Sequence, residues 1–316
     1  MRVISGSMRI VFMGTPEFAI PSLRILVEHG YEIVAVVTAP DRPGGRGQRL
    51  TPSPVKEYAV ATGLPVLQPE RLKDPDFMQA LQAKNPDLAV VVAFRMLPEQ
   101  VWRLPRMGTL NLHAALLPDY RGAAPLNWVV INGETKTGAT TFLIDHQIDT
   151  GAILLQTEIH LPHEWTAGDL HDAMMEQGAE LVLKTVQAIG SGNVHPLSQD
   201  EKAFVHAAPK IFKEDCKIDW SRKAPELYNF IRGLSPSPTA WTKLNGKVLK
   251  IFKATEGGEQ VTGPAGTLKK LSGKNELWVR CGEGCLRIDS LQIEGKKRMD
   301  AAAFLLGHRE ELSHVE

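Results

Sequence analysis

The chain is poor in the features that mark secreted and membrane-embedded proteins. Its 316 residues include only three cysteines, Cys216, Cys281 and Cys285, which are too few for a disulfide framework and do not have the spacing of a zinc site. The longest strongly apolar run, Leu88 to Phe94, is far shorter than the roughly 20 residues that a membrane span needs. The opening stretch MRVISGSMRIVF has no apolar segment long enough for a signal peptide. These absences predict a reduced, cytoplasmic protein without a membrane segment.

The formal net charge is zero, but basic and acidic residues are distributed unevenly along the chain. Up to Ala207 there are 17 basic and 22 acidic residues, whereas from Ala208 onward there are 19 and 14. A basic C-terminal third is a mild indication of a polyanionic partner, although scattered surface lysines produce such a count equally well. The content of 43% hydrophobic and 23% charged residues is typical of a globular protein, and the length predicts two domains.

The first 190 residues alternate between strand-like and helix-like segments. Short apolar runs that end at Gly or at a polar cluster predict strands, and segments with helical spacing lie between them. This alternation predicts an α/β domain with a Rossmann-like, mostly parallel sheet and helices on both faces. The predicted strands are 9–13, 33–37, 88–93, 109–112, 137–144 and 153–159, and the predicted helices are 20–27, 75–84, 124–131 and 167–189 with Thr166 as its cap.

The hydrophobic period changes to two in the last third of the chain. Asn245-Gly246 between two alternating segments is a strong signal for a two-residue hairpin turn. Leu277–Cys281 and Cys285–Leu291 flank a second, glycine-rich turn, and a helix is predicted over 299–306. We therefore predict an α/β domain over 8–190, a linker over 191–209 and a smaller C-terminal β-barrel domain, OB-like in type, over 210–316.

Two loops of the first domain follow predicted strands and have unusual compositions. The loop after Gly14 lacks the glycines of a dinucleotide fingerprint and the Gly-Lys-Ser/Thr of a phosphate loop, so it is interpreted as a tight turn. The segment Pro40–Pro54 contains four prolines and three glycines, which predicts neither helix nor strand. Its three arginines, Arg42, Arg46 and Arg49, leave two interpretations open: a solvated linker, or an arm that orders on a phosphate-bearing partner.

Three polar residues at strand ends have the functional groups needed for acyl transfer. Asn111 and His113 are two residues apart, so their side chains leave one face of an extended segment. An amide can stabilise an oxyanion, an imidazole titrates near neutrality, and Asp149 in a polar loop can orient a histidine or move a proton. Each residue taken alone is also an ordinary structural residue. No serine or cysteine nucleophile lies beside them in sequence, and the scattered histidines lack metal-ligand spacing, so no metal is expected.

Several motifs together resemble the methionyl-tRNA formyltransferases, a branch of the folate-dependent formyltransferase family. The resemblance rests on RIVFMGTPEFA from Arg9, PDRPGGRG from Pro40, NLHAALLPDYRGAAP from Asn111 and IDTG from Ile148, and it continues with APKIFKEDCKIDW from Ala208 and IRGLSPSP from Ile231. It spans the chain from Arg9 to about Leu312. The Asn-x-His block with Leu-Leu-Pro is shared by folate-dependent formyltransferases, whereas the arginine-rich loop and the β-domain narrow the match to the tRNA enzymes.

The resemblance implies that 10-formyltetrahydrofolate donates a formyl group to the α-amine of methionine on initiator methionyl-tRNA. It implies catalytic roles for Asn111, His113 and Asp149. The implied folate-binding residues are Ala115, Leu116, Leu117, Pro118, Phe94, Arg95, Leu97 and Asp145. The implied tRNA-binding residues are Arg42, Arg46, Arg49, Lys210 and Lys213. We expect a monomer that does not bind a membrane.

Two positions depart from the family's usual pattern. Ala115 stands where serine is common, and Phe94-Arg95 stands where Tyr-Gly is common. Two other functions remain open on the sequence: a formyltransferase for a small amine such as a sugar nucleotide, and a tRNA-binding relative without activity. The first would not need three arginines in one loop or a basic C-terminal domain, and the presence of all three candidate catalytic residues argues against the second.

Overall fold

The computed structural model describes residues 8–44, 49–258, 261–271, 275–308 and 312–316. The chain forms two compact units. Unit 1 comprises Met1–Gly122, Thr137–Ile159 and His171–Ala207, and unit 2 comprises Ala123–Lys136, His160–Leu170 and Ala208–Glu316. In the described ranges, no helix is both long enough and apolar enough to cross a membrane. The predicted domain boundaries at 190 and 210 remain predictions.

A seven-stranded sheet lies at the centre of the first unit. Its strands, in chain order, are β1 (Arg9–Gly14), β2 (Glu32–Val37), β5 (Val66–Leu67), β6 (Leu88–Val92), β7 (Thr109–His113), β9 (Lys136–Leu143) and β10 (Ile153–His160). Two further strands, β3 (Arg42–Gly44) and β4 (Arg49–Thr51), form a separate ribbon, and β8 (Arg121–Gly122) and β11 (Ala207–Ala208) are two-residue strands. The helices up to residue 190 are α1 (Ile20–Glu28), α2 (Pro54–Ala61), α3 (Pro75–Ala83), α4 (Glu99–Trp102), α5 (Pro125–Ile131) and α6 (Ala167–Gly190).

The sheet confirms the prediction of a mostly parallel α/β fold. Its spatial order is β5-β2-β1-β6-β7-β9-β10. Strand β1 pairs in parallel with β2 and β6, β2 with β5, and β6 with β7, whereas β9 runs antiparallel to β7. All five residues of β6 are buried because both faces of the sheet are covered, which explains its continuous apolar run. On one face, the side chains of β1, β2 and β6 pack with Phe77 and Leu81 of α3.

The proline-rich segment 40–54 contains regular structure, so the prediction that it forms neither helix nor strand is wrong. Strands β3 and β4 pair antiparallel, with Pro43 opposite Leu50. A two-stranded ribbon has an open edge on each side, where a missing proline N–H costs no ladder bond. Helix α2 begins at Pro54, with the Ser53 hydroxyl accepting from the amide of Lys56 at 3.1 Å. Proline suits this first helical position because its absent N–H would have no partner inside the helix.

The second unit is built on an antiparallel sheet, which confirms the β-domain predicted from the hydrophobic period of two. Its strands are β12 (Ala240–Leu244), β13 (Lys247–Gly257), β14 (Leu268–Leu271), β15 (Glu276–Arg280), β16 (Cys285–Ile293) and β17 (Met299–Asp300), and its later helices are α7 (Ala224–Gly233) and α8 (Ala301–Gly307). Asn245 and Gly246 have φ of 49° and 77°, as the predicted hairpin turn requires. Helix α8 begins later than predicted, because Asp300 ends β17 and its carboxylate accepts from the amide of Ala303.

The last described residues connect two separate parts of this sheet. Val315 pairs with Leu244 of β12, and His314 pairs with Thr267, just before β14. The amides of Leu268 and Val315 add hydrogen bonds to the carbonyls of Ser313 and Gly266, at 2.9 Å each. Residues 313–316 therefore lie between the two end strands of the β12-β13-β16-β15-β14 sheet.

The segment predicted as a linker between domains is structured along much of its length. Leu197 pairs antiparallel with Ile153 at the start of β10. The amides of Val205 and His206 both donate to the carboxylate of Asp119, at 3.0 and 2.5 Å. The amide of Tyr120 donates to the carbonyl of His206 at 2.8 Å. Through residue 207 this segment therefore packs as part of the first unit.

Candidate active site

The end of strand β7 carries two of the three predicted catalytic residues. His113 is buried, with 5% of its side chain exposed, and its Nε2 lies 2.8 Å from the backbone carbonyl oxygen of Tyr120. A carbonyl oxygen only accepts, so Nε2 carries the proton. The other ring nitrogen, Nδ1, lies 3.7 Å from Oδ2 of Asp149. The structure thus brings His113 and Asp149 together.

Burial keeps the imidazole of His113 neutral. Removal from water lowers the pKa of His113 below its ordinary value of 6.5, and this effect exceeds the opposing influences of the Asp149 carboxylate and the Tyr120 carbonyl. In the neutral ring, with the proton on Nε2, the Nδ1 lone pair faces Asp149. This arrangement gives a proton acceptor beside a carboxylate.

Asp149 is held in a backbone conformation that non-glycine residues rarely adopt. Its φ is +56°, and its Oδ2 accepts from the amide of Gly122 at 2.9 Å. No described residue donates to its Oδ1. A Cβ at Gly151 would overlap the carbonyl of Leu143, so the Asp-Thr-Gly sequence needs its glycine for space. Strained backbone of this kind persists where the surrounding structure holds it, often at functional sites.

Asn111 lies two residues before His113 on the same strand and is half-buried. It stands between Val91 of β6 and Phe142 of β9 in the sheet register. Its side-chain amide makes no hydrogen bond with the described residues. An amide donor on a rigid central strand that is not committed to the protein can donate to a developing oxyanion.

The predicted folate-binding residues fall into two groups. Phe94 and Leu97 pack with the apolar cluster under β6. Ala115 and Leu117 are buried, and the hydroxyl of Thr140 donates to the Ala115 carbonyl and accepts from the Leu117 amide. The side chains of Leu116 and Pro118, which are half-buried, alternate with these two. At Ala115, where family members commonly carry serine, the methyl group has no exposed surface.

Arg95 is bonded to the backbone of the segment that follows β5. Its guanidinium donates to the carbonyl of Glu70 at 2.8 Å and also to the carbonyl of Pro69, and it lies 5.7 Å from the centre of the Phe94 ring. Burial, followed by the positive charge of Arg42, lowers the pKa of Arg95.

The other predicted binding residues are distributed over both units. Arg42 is exposed on β3, Arg49 is the first residue of β4 with its backbone opposite Gly44, and Arg46 lies outside the described residues. In unit 2, Lys210 is exposed with its ammonium 5.1 Å from the centre of the Phe212 ring. Lys213 is exposed as well, and its carbonyl accepts from the indole N–H of Trp241.

Asp145, predicted to bind folate, shapes the loop that carries Asp149. Its Oδ1 accepts from the amide of Gln147 at 3.0 Å and from the hydroxyl of Thr150 at 2.8 Å. These contacts form an Asx turn ahead of Asp149. The structure therefore gives Asp145 a role in the shape of this loop.

Three residues that hold the site together were not identified from the sequence. Tyr120 orients the ring of His113 through its carbonyl, and its own φ is +58°. Gln199 donates to the backbone of the Asp149 loop, and Arg121 in turn donates to the side-chain oxygen of Gln199. The Tyr-Arg-Gly motif was visible in the sequence, but a backbone contact leaves no pattern in it. Gln199 lies in a segment without periodicity and gave no signal.

Metal ligands do not gather in the described part of the chain. No group of three or more His, Cys, Asp or Glu side chains there could hold a metal ion. All three cysteines are free thiols and buried.

Comparisons with known proteins agree with these features. The family model for formyl transferase matches residues 8–186, and the model for the formyl transferase C-terminal domain matches residues 210–309. A protein of Parabacteroides distasonis named methionyl-tRNA formyltransferase is 50% identical over 313 residues, covering 96% of both chains. These matches extend across both units.

Two solved structures resemble the fold at low sequence identity. HypX from Aquifex aeolicus in complex with tetrahydrofolic acid has a TM-score of 0.66 at 19% identity, covering 95% of this chain and 47% of that one. An N-formyltransferase from Helicobacter canadensis, in complex with folinic acid and dTDP-3-aminofucose, has a TM-score of 0.65 at 20% identity, covering 89% and 98%. At these identities the likeness concerns the fold alone.

Proposed function

Because the chain belongs to the formyl transferase family, we propose that it transfers the formyl group of 10-formyltetrahydrofolate to the α-amine of methionine on initiator methionyl-tRNA. This reaction modifies the aminoacyl-tRNA with which translation starts. The fold, the polar residues of β7 and the loop of Asp149 suit acyl transfer without a covalent enzyme intermediate.

The observation that carries the choice of acceptor is near-full-length similarity. Relatives named methionyl-tRNA formyltransferase are about half identical to this chain over 96% of its length, including unit 2. The sugar N-formyltransferase of Helicobacter canadensis is only 20% identical. A C-terminal third richer in basic than in acidic residues suits a polyanionic acceptor.

The proposed reaction begins when the amine nitrogen of methionine attacks the formyl carbon. A carbon–nitrogen bond forms, and the formyl oxygen becomes an oxyanion in the tetrahedral intermediate. The side-chain amide of Asn111 donates to that oxygen, an effect worth roughly 3–4 kcal/mol for one such donor in comparable enzymes. The bond from the formyl carbon to N10 of the folate then breaks as the oxygen returns to a carbonyl.

Proton transfer completes the exchange. The attacking amine loses a proton and the leaving N10 gains one, so the proton count balances. Oδ1 of Asp149 receives no hydrogen bond from the described residues and is available to carry this proton. The neutral ring of His113, with Nδ1 facing Asp149, supports the charge and the transfer. General acid–base assistance of this kind contributes about 10²–10⁴-fold.

The folate co-substrate would bind against an apolar surface. Apolar side chains and a few polar groups are typical of small-molecule sites. We assign the pterin to the segments around Phe94, Leu97 and Leu116–Pro118. The backbone of Leu117 is already bonded to Thr140 and Gln156, so this segment offers a rigid wall. Arg95 is not assigned to this wall, because its guanidinium is occupied by carbonyls.

The acceptor tRNA would be held by positive charge on both units. Phosphate contacts by arginine and lysine supply most of the affinity for nucleic acids. We assign this role to the arginine-bearing loop with Arg42, Arg46 and Arg49, and to Lys210 and Lys213 in unit 2. Phe212 beside Lys210 is 56% exposed, a surface suited to stacking on a nucleotide base.

A direct assay tests the function. The purified protein is incubated with 10-formyltetrahydrofolate and, in parallel, methionyl-tRNA, free methionine or a dTDP-amino sugar. Transfer to the charged tRNA alone is the expected result. Transfer to the amino sugar would show that the acceptor is a small amine and not methionyl-tRNA. Binding of tRNA without transfer to any amine would show that the protein binds tRNA but is not a formyltransferase.

A further inference from the structure

The side chain of Gln199 forms hydrogen bonds both to the loop of Asp149 and to Arg121, and these bonds occupy all of its donors and lone pairs. Its Nε2 donates to the backbone carbonyls of Asp149 and Gly151, at 2.8 Å each. Its Oε1 accepts from Nη2 and Nε of Arg121, at 2.7 and 3.1 Å. A primary amide has two donors and two lone pairs, so the side chain is saturated.

Arg121 is itself fixed by an ion pair. Its guanidinium pairs with the carboxylate of Glu201, with Nη2 at 2.8 Å from Oε1 and Nη1 at 3.0 Å from Oε2, and it lies 5.4 Å from the centre of the Phe204 ring. Only 11% of the Arg121 side chain is exposed. Bidentate pairs of this kind fix orientation as well as distance. Arg121 therefore presents a fixed pair of N–H groups to Gln199.

The contacts of Gln199 fall on the strained part of the loop. Asp149 has a φ of +56°, a conformation that costs a non-glycine residue free energy unless neighbouring contacts hold it. The two carbonyls that Gln199 binds lie at Asp149 and two residues beyond it. From the other side, the amide of Gly122, directly after Arg121, donates to the Asp149 carboxylate at 2.9 Å. The amide of Gly122 thus binds the carboxylate of Asp149, and the side chain of Gln199 binds its backbone carbonyl.

We propose that Gln199 is a positioning residue that holds the Asp149 carboxylate beside the ring of His113 for proton transfer. This inference rests on the proposed function for its catalytic consequence, but its geometric part is independent of activity. Gln199 does not touch the reacting groups and acts through the loop backbone.

The first test measures the position of Asp149 without any turnover. Asp149 is the described charged group that contacts the His113 ring, and its carboxylate raises the pKa of His113 against the larger effect of burial. Three other carboxylates lie on the neighbouring segments: that of Glu201 pairs with Arg121, that of Asp119 bonds the ring of His206, and that of Asp145 accepts from Gln147 and Thr150.

The histidine pKa values are measured by NMR titration of the ring nitrogens. Gln199→Ala moves the carboxylate away, so the pKa of His113 falls, in the same direction as in Asp149→Asn. Gln79→Ala removes an exposed glutamine of α3 and leaves it unchanged. A His113 titration in Gln199→Ala that matches the parent overturns the proposal.

The second test is kinetic and uses a double-mutant cycle. In single-turnover formyl transfer with both substrates saturating, Gln199→Ala slows the reaction by about 10–100-fold, the range expected when a reacting group is displaced by about 1 Å. The KM values for methionyl-tRNA and 10-formyltetrahydrofolate change by less than about threefold. In the Asp149→Ala background, Gln199→Ala adds no further loss, because the group it positions is gone.

The outcomes separate the two proposals. A parent protein that formylates no amine contradicts the proposed function, while the NMR titration still decides the positioning role. If Gln199→Ala slows formyl transfer as much in the Asp149→Ala background as in the parent, Gln199 has a general structural role and the inference is overturned. Thermal unfolding of each variant identifies any that fail to fold, and Glu201→Gln then tests the same support one step removed, with a smaller loss expected.

Discussion

The ring of His113 is oriented by the backbone carbonyl of Tyr120, and this contact decides which nitrogen faces Asp149. Nε2 donates to that carbonyl at 2.8 Å, whereas Nδ1 lies 3.7 Å from the carboxylate, beyond hydrogen-bonding distance. The proton of the neutral ring is therefore committed to the backbone. In the proposed reaction, the side chain of Asp149 is left to exchange protons with the substrate.

Replacement of His113 by alanine removes the proposed acid–base partner. We expect the rate of formyl transfer to fall by about 10²–10⁴-fold, while the affinity for tRNA changes little, because His113 is buried and touches no predicted tRNA-binding residue. Initial rates and filter-binding affinities measure the two effects. His195→Ala, at an exposed histidine, serves as the control. Activity within a few-fold of the parent would remove His113 from the mechanism.

The buried neutral ring of His113 also makes stability depend on pH. Its pKa is lowered in the folded protein and close to 6.5 in the unfolded chain, so between these two values the unfolded state binds more protons. Stability therefore rises with pH through this window, is fully present above about 6.5 and is lost as the pH falls below it.

Urea unfolding between pH 5 and pH 7.5 measures this dependence. His113→Gln removes up to about 1.4 kcal/mol per pH unit of the slope, the limit for one proton. His29→Gln, at an exposed histidine, is the control. Identical pH dependence of the unfolding free energy in the parent and in His113→Gln would show that folding does not change the pKa of His113.

Arg42 on the short β3 strand is predicted to contact the phosphates of the acceptor tRNA. We expect Arg42→Ala to lower kcat/KM for methionyl-tRNA by about tenfold and to reduce the slope of log K against log salt by nearly one, as for one lost phosphate contact. The KM for 10-formyltetrahydrofolate stays the same. Arg24→Ala breaks an exposed ion pair with Glu176 on unit 1 and controls for the loss of one charge. Equal kinetics for both variants would show that the segment Pro40–Pro54 connects its neighbouring elements without binding tRNA.

Arg95 replaces the small residue that the family commonly carries, and its guanidinium bonds the carbonyls of Pro69 and Glu70. We expect Arg95→Ala to cost about 1 kcal/mol of stability through these hydrogen bonds. The KM for 10-formyltetrahydrofolate should change by less than about threefold. Chemical unfolding and steady-state kinetics measure the two effects. A tenfold rise in this KM would place the arginine in contact with the folate.

The three cysteines are buried free thiols, and burial raises the pKa of Cys281 to about 12. Because the thiolate is the reactive form, we expect none of the three to react with iodoacetamide at pH 7.5 in the native protein and all three to react in 6 M guanidinium, on the order of the concentration that unfolds most domains. Mass spectrometry counts the adducts. A rapidly labelled thiol in the native protein would contradict the buried positions.

Periodicity alone predicts the sheets well. The apolar run Leu88–Val92 is buried over its whole length, and Asn245-Gly246 adopts the turn that its composition predicts. These elements are found because side-chain spacing and φ preference are local properties. The ribbon of β3 and β4 is missed for the opposite reason. Its pairing joins residues that are separated in sequence, and proline lowers the local preference for a strand without excluding it from an edge strand.

Only part of the candidate active site can be predicted from the sequence. Asn111, His113 and Asp149 carry recognisable functional groups at strand ends, and the structure brings His113 and Asp149 together. Their supports act through the backbone, as in the Tyr120 carbonyl, or from a distant, aperiodic segment, as with Gln199. Contacts across 50 residues that end on carbonyl groups impose no pattern on the sequence, so only coordinates show them.

The return of residues 191–207 to the first unit limits how the protein can be recombined with others. A chimera that joins the first 190 residues to a foreign C-terminal domain would carry Asn111, His113 and Asp149 but would lack Gln199 and Glu201. Exchange of C-terminal domains between family members should therefore be made after residue 207. A junction at that point keeps the contacts of Gln199 with the Asp149 loop intact while unit 2 is exchanged.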